Sequence, residues 1–225
     1  LTTRALAAEA GGMSILSPKT VVAAILAGGE GRRLGGVAKA TLRLGGLSLL
    51  ERQRAALTPQ AAAVLVCIGA NQIDAPWADN CGLPVVADPV ADAGPLAGIA
   101  AALVWTRAYR PEAAAVVSVP VDLPFIPADL VARLTVEDGV AVAESGGRTH
   151  HAVAAWPLAV ADDLLATLAR GEHALHRWQA RHPLRVVSWP AESYDPFLNV
   201  NTREDLAAAE AIAARLAAAQ PRRFA

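Results

Sequence analysis

Short, uninterrupted apolar runs recur along the chain and lead into turns rich in glycine, proline or acidic residues, with longer stretches of helical periodicity between them. Residues 21–27, 63–69, 84–87 and 113–119 carry no charge and have strand length, the pattern of strands covered by helices on both faces. Residues 41–44 predict a short extended piece, Gly45-Gly46 a tight turn, and residues 47–50 the entry to a helix ending before Thr58-Pro59. Asp92, Gly94, Pro95 and Gly98 open an alanine-rich helix reaching about residue 108, and residues 128–134, 162–170, 173–181 and 203–219 predict further helices. Thr202, with Asp205 three residues on, is the expected N-cap of the last one. Residues 139–144 and 152–156 predict strands around a polar tip at 145–151, a hairpin with His150 and His151 near its return, and residues 185–189 predict a final strand. Alternating strands and helices predict an α/β fold: one domain over residues 19–219, a mostly parallel sheet with helices on both faces, and any antiparallel strand near an edge.

In such sheets ligands lie beyond the carboxyl ends of the strands. Four separate stretches bring polar chemistry there. After the first strand come Gly28, Gly29 and Gly31, then Arg32, Arg33, Gly35, Gly36 and Lys39, so cations surround backbone amides that no side chain covers, a setting suited to polyphosphate. Asn71 follows the second strand and Asp88 the third. Asp122 stands in Pro120-Val121-Asp122-Leu123-Pro124, where proline keeps the loop from joining a helix or sheet.

Two familiar phosphate loops fail by spacing. A P-loop requires Lys-Ser/Thr, whereas Lys39 is followed by Ala40. The dinucleotide fingerprint begins at Gly29 and Gly31 but has Leu34 where its third glycine belongs.

Composition narrows the field. The 225 residues carry 20 basic and 21 acidic side chains, a net charge of −1, so no global field draws the chain to nucleic acid or to an anionic membrane. No apolar stretch is long enough to span a bilayer, and residues 21–27 run directly into the glycine loop as a signal peptide would not. The two cysteines, Cys67 and Cys81, cannot form a metal site alone and are expected to be buried free thiols. A cytoplasmic setting is therefore expected. The only methionine is Met13, so residues 1–18 are treated as an N-terminal extension or expression remnant and residues 220–225 as a tail. His173 and His176 could share a helix face and His150 and His151 would point to opposite faces of a strand; neither pair is assigned to the site.

The loop Leu26-Ala27-Gly28-Gly29, Arg33-Leu34-Gly35-Gly36 and Lys39 resembles that of the molybdenum cofactor guanylyltransferases, Leu-Ala-Gly-Gly-x-x-x-Arg-Met-Gly-Gly-x-x-Lys. The resemblance extends to Gly94-Pro95-Leu96-Ala97-Gly98, to Pro120-Val121-Asp122-Leu123-Pro124-Phe125 and to Asn199-Val200-Asn201-Thr202, from about Val21 to Leu206. One position departs: the family carries Asp before the lysine, and Ala38 stands here. The resemblance implies a Rossmann-like nucleotidyltransferase that joins GMP from GTP to molybdopterin, with magnesium, releasing pyrophosphate. It implies that Leu26, Ala27, Gly28, Gly29, Lys39, Asn71, Asp88 and Asp122 contact nucleotide, that Arg33 and Lys39 meet phosphates as catalytic cations, and that Asp122 is catalytic and binds the metal.

Physical chemistry agrees that magnesium suits one or two carboxylates plus substrate phosphates. For Asp88 a guanine edge, a ribose hydroxyl and a second metal contact all remain open. The attacking group implied is a terminal phosphate, which needs no general base. GTP and molybdopterin are the expected partners, with transient contact to molybdenum cofactor enzymes or chaperones; the chain itself is expected to be a monomer. The rival functions are a cytidylyltransferase or sugar-phosphate nucleotidyltransferase of the same fold, and a non-catalytic nucleotide- or molybdopterin-binding relative in which Ala38 has ended turnover.

Overall fold

The computed structural model describes residue 17 and residues 20–29, 36–72, 74–90 and 93–219. Nine strands occur among them: β1 (Val21–Leu26), β2 (Arg43–Leu44), β3 (Leu47–Ser48), β4 (Ala63–Ile68), β5 (Val85–Ala87), β6 (Ala115–Pro120), β7 (Val140–Ser145), β8 (Arg148–Pro157) and β9 (Leu184–Trp189). The helices are α1 (Leu49–Leu57), α2 (Pro76–Asp79), α3 (Pro95–Tyr109), α4 (Leu130–Leu134), α5 (Ala161–Ala169), α6 (Leu175–Gln179) and α7 (Arg203–Ala219).

Seven strands form one sheet in the order β5-β4-β1-β6-β8-β7-β9, while β2 and β3 pair separately. β1 lies in the interior, parallel to β4 on one side and to β6 on the other. Its alternation sorts the core: Val21, Ala23 and Ile25 join the layer under α1 and α4, whereas Val22 and Ala24 join the layer under α3, α5 and α6. A third cluster packs α7 through Ala209 against Leu44, Leu49, Phe125 and Val200.

Two expectations are corrected. The one antiparallel member, β8, is interior, flanked by β6 and β7, and the edge is taken by β9, parallel to β7. β7 runs in the direction of β6, so its hairpin partner β8, seated between them, runs against both, and β9 covers the free side of β7. The hairpin is also tighter than expected: Ser145 pairs with Arg148 around Gly146 and Gly147, both at positive φ (55° and 75°), as a two-residue turn requires. His150 and His151 thus lie within β8, not at its tip.

Capping sets two helix starts. In α1, Ser48 Oγ accepts from the Glu51 N–H and Glu51 Oε2 accepts from the Ser48 N–H. In α7, as the sequence predicts, Thr202 Oγ1 accepts from the Asp205 N–H while Asp205 Oδ2 accepts from the Thr202 and Asn201 N–H groups. Cys67 is buried and Cys81 only half-buried; both are free thiols.

Candidate active site

In a parallel sheet the strand order reverses direction between β1 and β6, and the loops leaving these neighbours diverge to open a crevice. A cleft of about 450 Å³ lies there. Leu26, Gly28 and Gly29 line it from the end of β1, Asn71 from a short turn after β4, and Asp88 from the end of β5. Lys39 and Asp122 close it from the other side. Seven residues singled out in four separate stretches of sequence therefore converge. Ala27 is buried beside them rather than in the wall, its N–H donating to the Cys67 carbonyl. Arg33 lies outside the described residues, as do Arg32, Gly31, Gly35 and Asp92.

The floor depends on missing side chains. A Cβ on Gly28 would stand 3.0 Å from the Gly69 amide nitrogen, and one on Gly98 would stand 3.3 Å from Asp88 Oδ1 and 3.4 Å from Cys67 Cβ. Gly28 and Gly98 thus let the β1 loop and the start of α3 close around Asp88. The Asp88 Oδ1 atom is buried and has no hydrogen-bond partner among the described residues. Burial pushes the Asp88 carboxyl up to about 7 and also raises the neighbouring Cys67 thiol, which faces the Asp88 charge as well.

The opposite wall holds a polar cluster. Lys39 Nζ lies 2.6 Å from Asp122 Oδ2 and also donates to Asn201 Oδ1. Asn199 Nδ2 donates to Asp122 Oδ1 at 3.2 Å, and the Val200 N–H donates to the Asp122 carbonyl at 2.9 Å. Asp122 is 9% exposed, so each of its oxygens is held by a named donor rather than by bulk water. Its loop is held in turn: the Val121 N–H donates to the Leu26 carbonyl, and the buried Gln53 of α1 donates through Nε2 to the carbonyls of Pro120 and Leu123 on either side.

Sequence reasoning quoted Asn199 and Asn201 as part of a motif without giving them a role, and did not single out Gln53. The readable signal was two amides flanking Val200, since alternate residues of an extended segment share a face. Val200 is fully buried, which turns both amides toward Lys39 and Asp122. Gln53 gave no signal, because a glutamine in an amphipathic helix ordinarily faces solvent. His150, His151, His173 and His176 do not line the cleft, and no cluster of three or more His, Cys, Asp or Glu suited to a metal exists among the described residues.

Comparison with known proteins agrees with this architecture. Residues 23–186 match the MobA-like NTP transferase domain. A molybdenum cofactor guanylyltransferase of Rhodopseudomonas palustris is 44% identical over 200 residues, covering 86% of this chain and 94% of the relative. One from Cereibacter sphaeroides is 47% identical over 190 residues, covering 84% and 94%. The crystal structure of molybdopterin-guanine dinucleotide biosynthesis protein A from Archaeoglobus fulgidus superposes with a TM-score of 0.68 at 23% identity, covering 86% of this chain and 99% of that one, and so shares its fold. The chain belongs to the molybdenum cofactor guanylyltransferase family, nucleotidyltransferase enzymes built on the MobA-like domain.

Proposed function

We infer that this chain transfers GMP from GTP to the terminal phosphate of molybdopterin. An acceptor phosphate oxygen attacks the α-phosphorus, the bond to the β-phosphate oxygen breaks, and pyrophosphate leaves. The observation that carries the reading is the Lys39–Asp122 pair facing Asp88 across one glycine-floored cleft at the β1/β6 switch point. A phosphate monoester is already largely ionised at neutral pH, its second pKa being about 6, so no general base is required. The protein's contribution is position and electrostatics.

Asp122 suits a divalent cation. The Lys39 ammonium already rests against its Oδ2, so positive charge is favoured at that point, and oxygen is the donor that magnesium prefers. With Asp122 as its protein ligand, a magnesium ion would take further ligands from substrate phosphates and water, and would supply charge neutralisation at the α-phosphate and leaving pyrophosphate. Lys39 then turns from Asp122 toward the triphosphate, Gly28 and Gly29 leave backbone amides open to it, and Asp88 takes a donor on the nucleoside.

Pyrophosphate release from GTP, CTP and ATP with magnesium, with and without molybdopterin, tests this. Release confined to GTP and dependent on the pterin is expected. Preference for CTP would move the chain to cytidylyl transfer, and GTP binding without release would make it a binding protein disabled at Ala38. Asp122→Ala should lower turnover by about a hundredfold or more while GTP binding partly survives. Full activity in that variant would remove Asp122 from the metal role.

A further inference from the structure

A polar cluster, two of its three members buried, lies outside the nucleotide cleft, where β7, β8 and the segment after β9 meet. Ser145, the last residue of β7, is 1% exposed. Its hydroxyl donates to Asp195 Oδ1 at 2.6 Å and lies 2.7 Å from His150 Nε2. A hydroxyl has one proton and a carboxylate only accepts, so the proton between Ser145 and His150 belongs to Nε2 of the imidazole. The same Asp195 oxygen accepts the Phe197 N–H at 2.8 Å, and the Asp195 carbonyl accepts the Leu198 N–H at 3.2 Å. Phe197 is fully buried, its ring 4.9 Å from that of His150 and 5.4 Å from that of Trp189.

This is not a nucleophilic triad. Asp195 bonds the serine and not the second imidazole nitrogen, and Ser145 is sealed from any substrate. Its location suggests another task. Asn199 stands two residues beyond Phe197 and meets Asp122 Oδ1, Val200 meets the Asp122 carbonyl, and Asn201 meets Lys39. The segment is thus held at its start by Ser145 and His150, and at its end by Asp122 and the α7 cap.

The strand geometry serves the same end. Val142 pairs with Ala154 but Ala143 pairs with His150, so a bulge in β8 sets His150 on the face shared by Ala143 and Ser145. Burying Ser145 and His150 beside the half-buried Asp195 costs desolvation that apolar packing would avoid. Directional bonds, however, specify one position of a segment where apolar contacts would allow several.

We propose that Ser145, His150 and Asp195 are positioning residues for the transfer reaction: they fix residues 195–198 so that the Asn199 and Asn201 amides meet Asp122 and Lys39. The proposal rests on the guanylyl transfer assigned above. Ser145→Ala is expected to lower kcat about tenfold, as outer partners of site residues commonly do, with the KM for GTP changed less than about twofold. Ser145→Thr, which keeps the hydroxyl, should restore most of the loss. Hydrogen exchange gives a readout independent of activity: in Ser145→Ala the Val200 amide should exchange about tenfold faster while the Val22 and Val117 amides keep their rates. Unchanged kcat, unchanged Val200 exchange, or exchange raised equally across the sheet would overturn the proposal. Absence of pyrophosphate release from the wild-type protein would instead count against the transfer reading, and Val200 exchange would still decide whether the cluster holds the segment.

Discussion

At the scale of single residues, the two carboxylates of the cleft are in opposite situations. Asp122 has a donor on each oxygen, whereas Asp88 keeps a buried oxygen without a partner among the described residues and a carboxyl raised by burial from 3.8 to about 7. Because its folded value lies above the unfolded one, the native state holds the proton more tightly, and Asp88 subtracts from stability as pH rises from about 4 to about 7. A ligand donating hydrogen bonds to Asp88 favours the ionised form, so GTP affinity should increase between pH 6 and pH 8 and then level off. Calorimetric titration across that range checks it, and Asp88→Asn should flatten the curve. Lys39 is held by Asp122 and Asn201, and in the proposed reaction it exchanges these partners for the triphosphate. Lys39→Ala should raise the KM for GTP by about tenfold or more, the scale of a lost charge-assisted hydrogen bond. An unchanged KM would show that another cation holds the phosphates.

At the scale of elements, the site is assembled by pieces that meet only in three dimensions. Helix α1 lends Gln53 to the loop after β6, and its Nε2 is the shared donor for two carbonyls flanking Asp122. Replacing it by leucine keeps the volume but takes the donor from the Leu123 carbonyl, while the Pro120 carbonyl keeps the Leu123 N–H, at a cost of about 1 kcal/mol. Urea unfolding of Gln53→Leu should show that loss, together with slower turnover as Asp122 loses its support; a native midpoint would mean that water replaces the amide. The cap of α7 plays a similar part for Asn201, since Asp205 accepts the Asn201 and Thr202 N–H groups together. The strand ends and the Thr202 cap were legible in sequence, because glycine, proline and capping residues act locally. The bulge of β8 was not, since it answers to strands far away in the chain.

At the scale of the whole molecule, one central sheet carries a separate apolar layer on each face, and its loops converge on the cleft. A ligand that binds the native cleft and not the unfolded chain stabilises the fold by mass action. At a hundredfold excess over its dissociation constant GTP with magnesium should add about 2.7 kcal/mol, a rise in melting temperature of about 5–10 °C for a chain of this size. Thermal melts with GTP, CTP and ATP rank the bases directly; equal shifts would leave base choice to the chemical step.

Periodicity was enough to determine the main strands and helices, though not α2 or the short strand β3 where a helix entry is expected, and the turn residues sufficed for the placing of Gly28, Asn71, Asp88 and Asp122 at strand ends, because both follow from local backbone preference and the burial of apolar runs. Tertiary structure alone decided that β8 lies inside the sheet, that Lys39 spends its charge on Asp122, that Gln53 faces inward and that Ser145, His150 and Asp195 meet. Most of those contacts join residues tens of positions apart, and their strength depends on burial and distance, which a linear pattern does not contain.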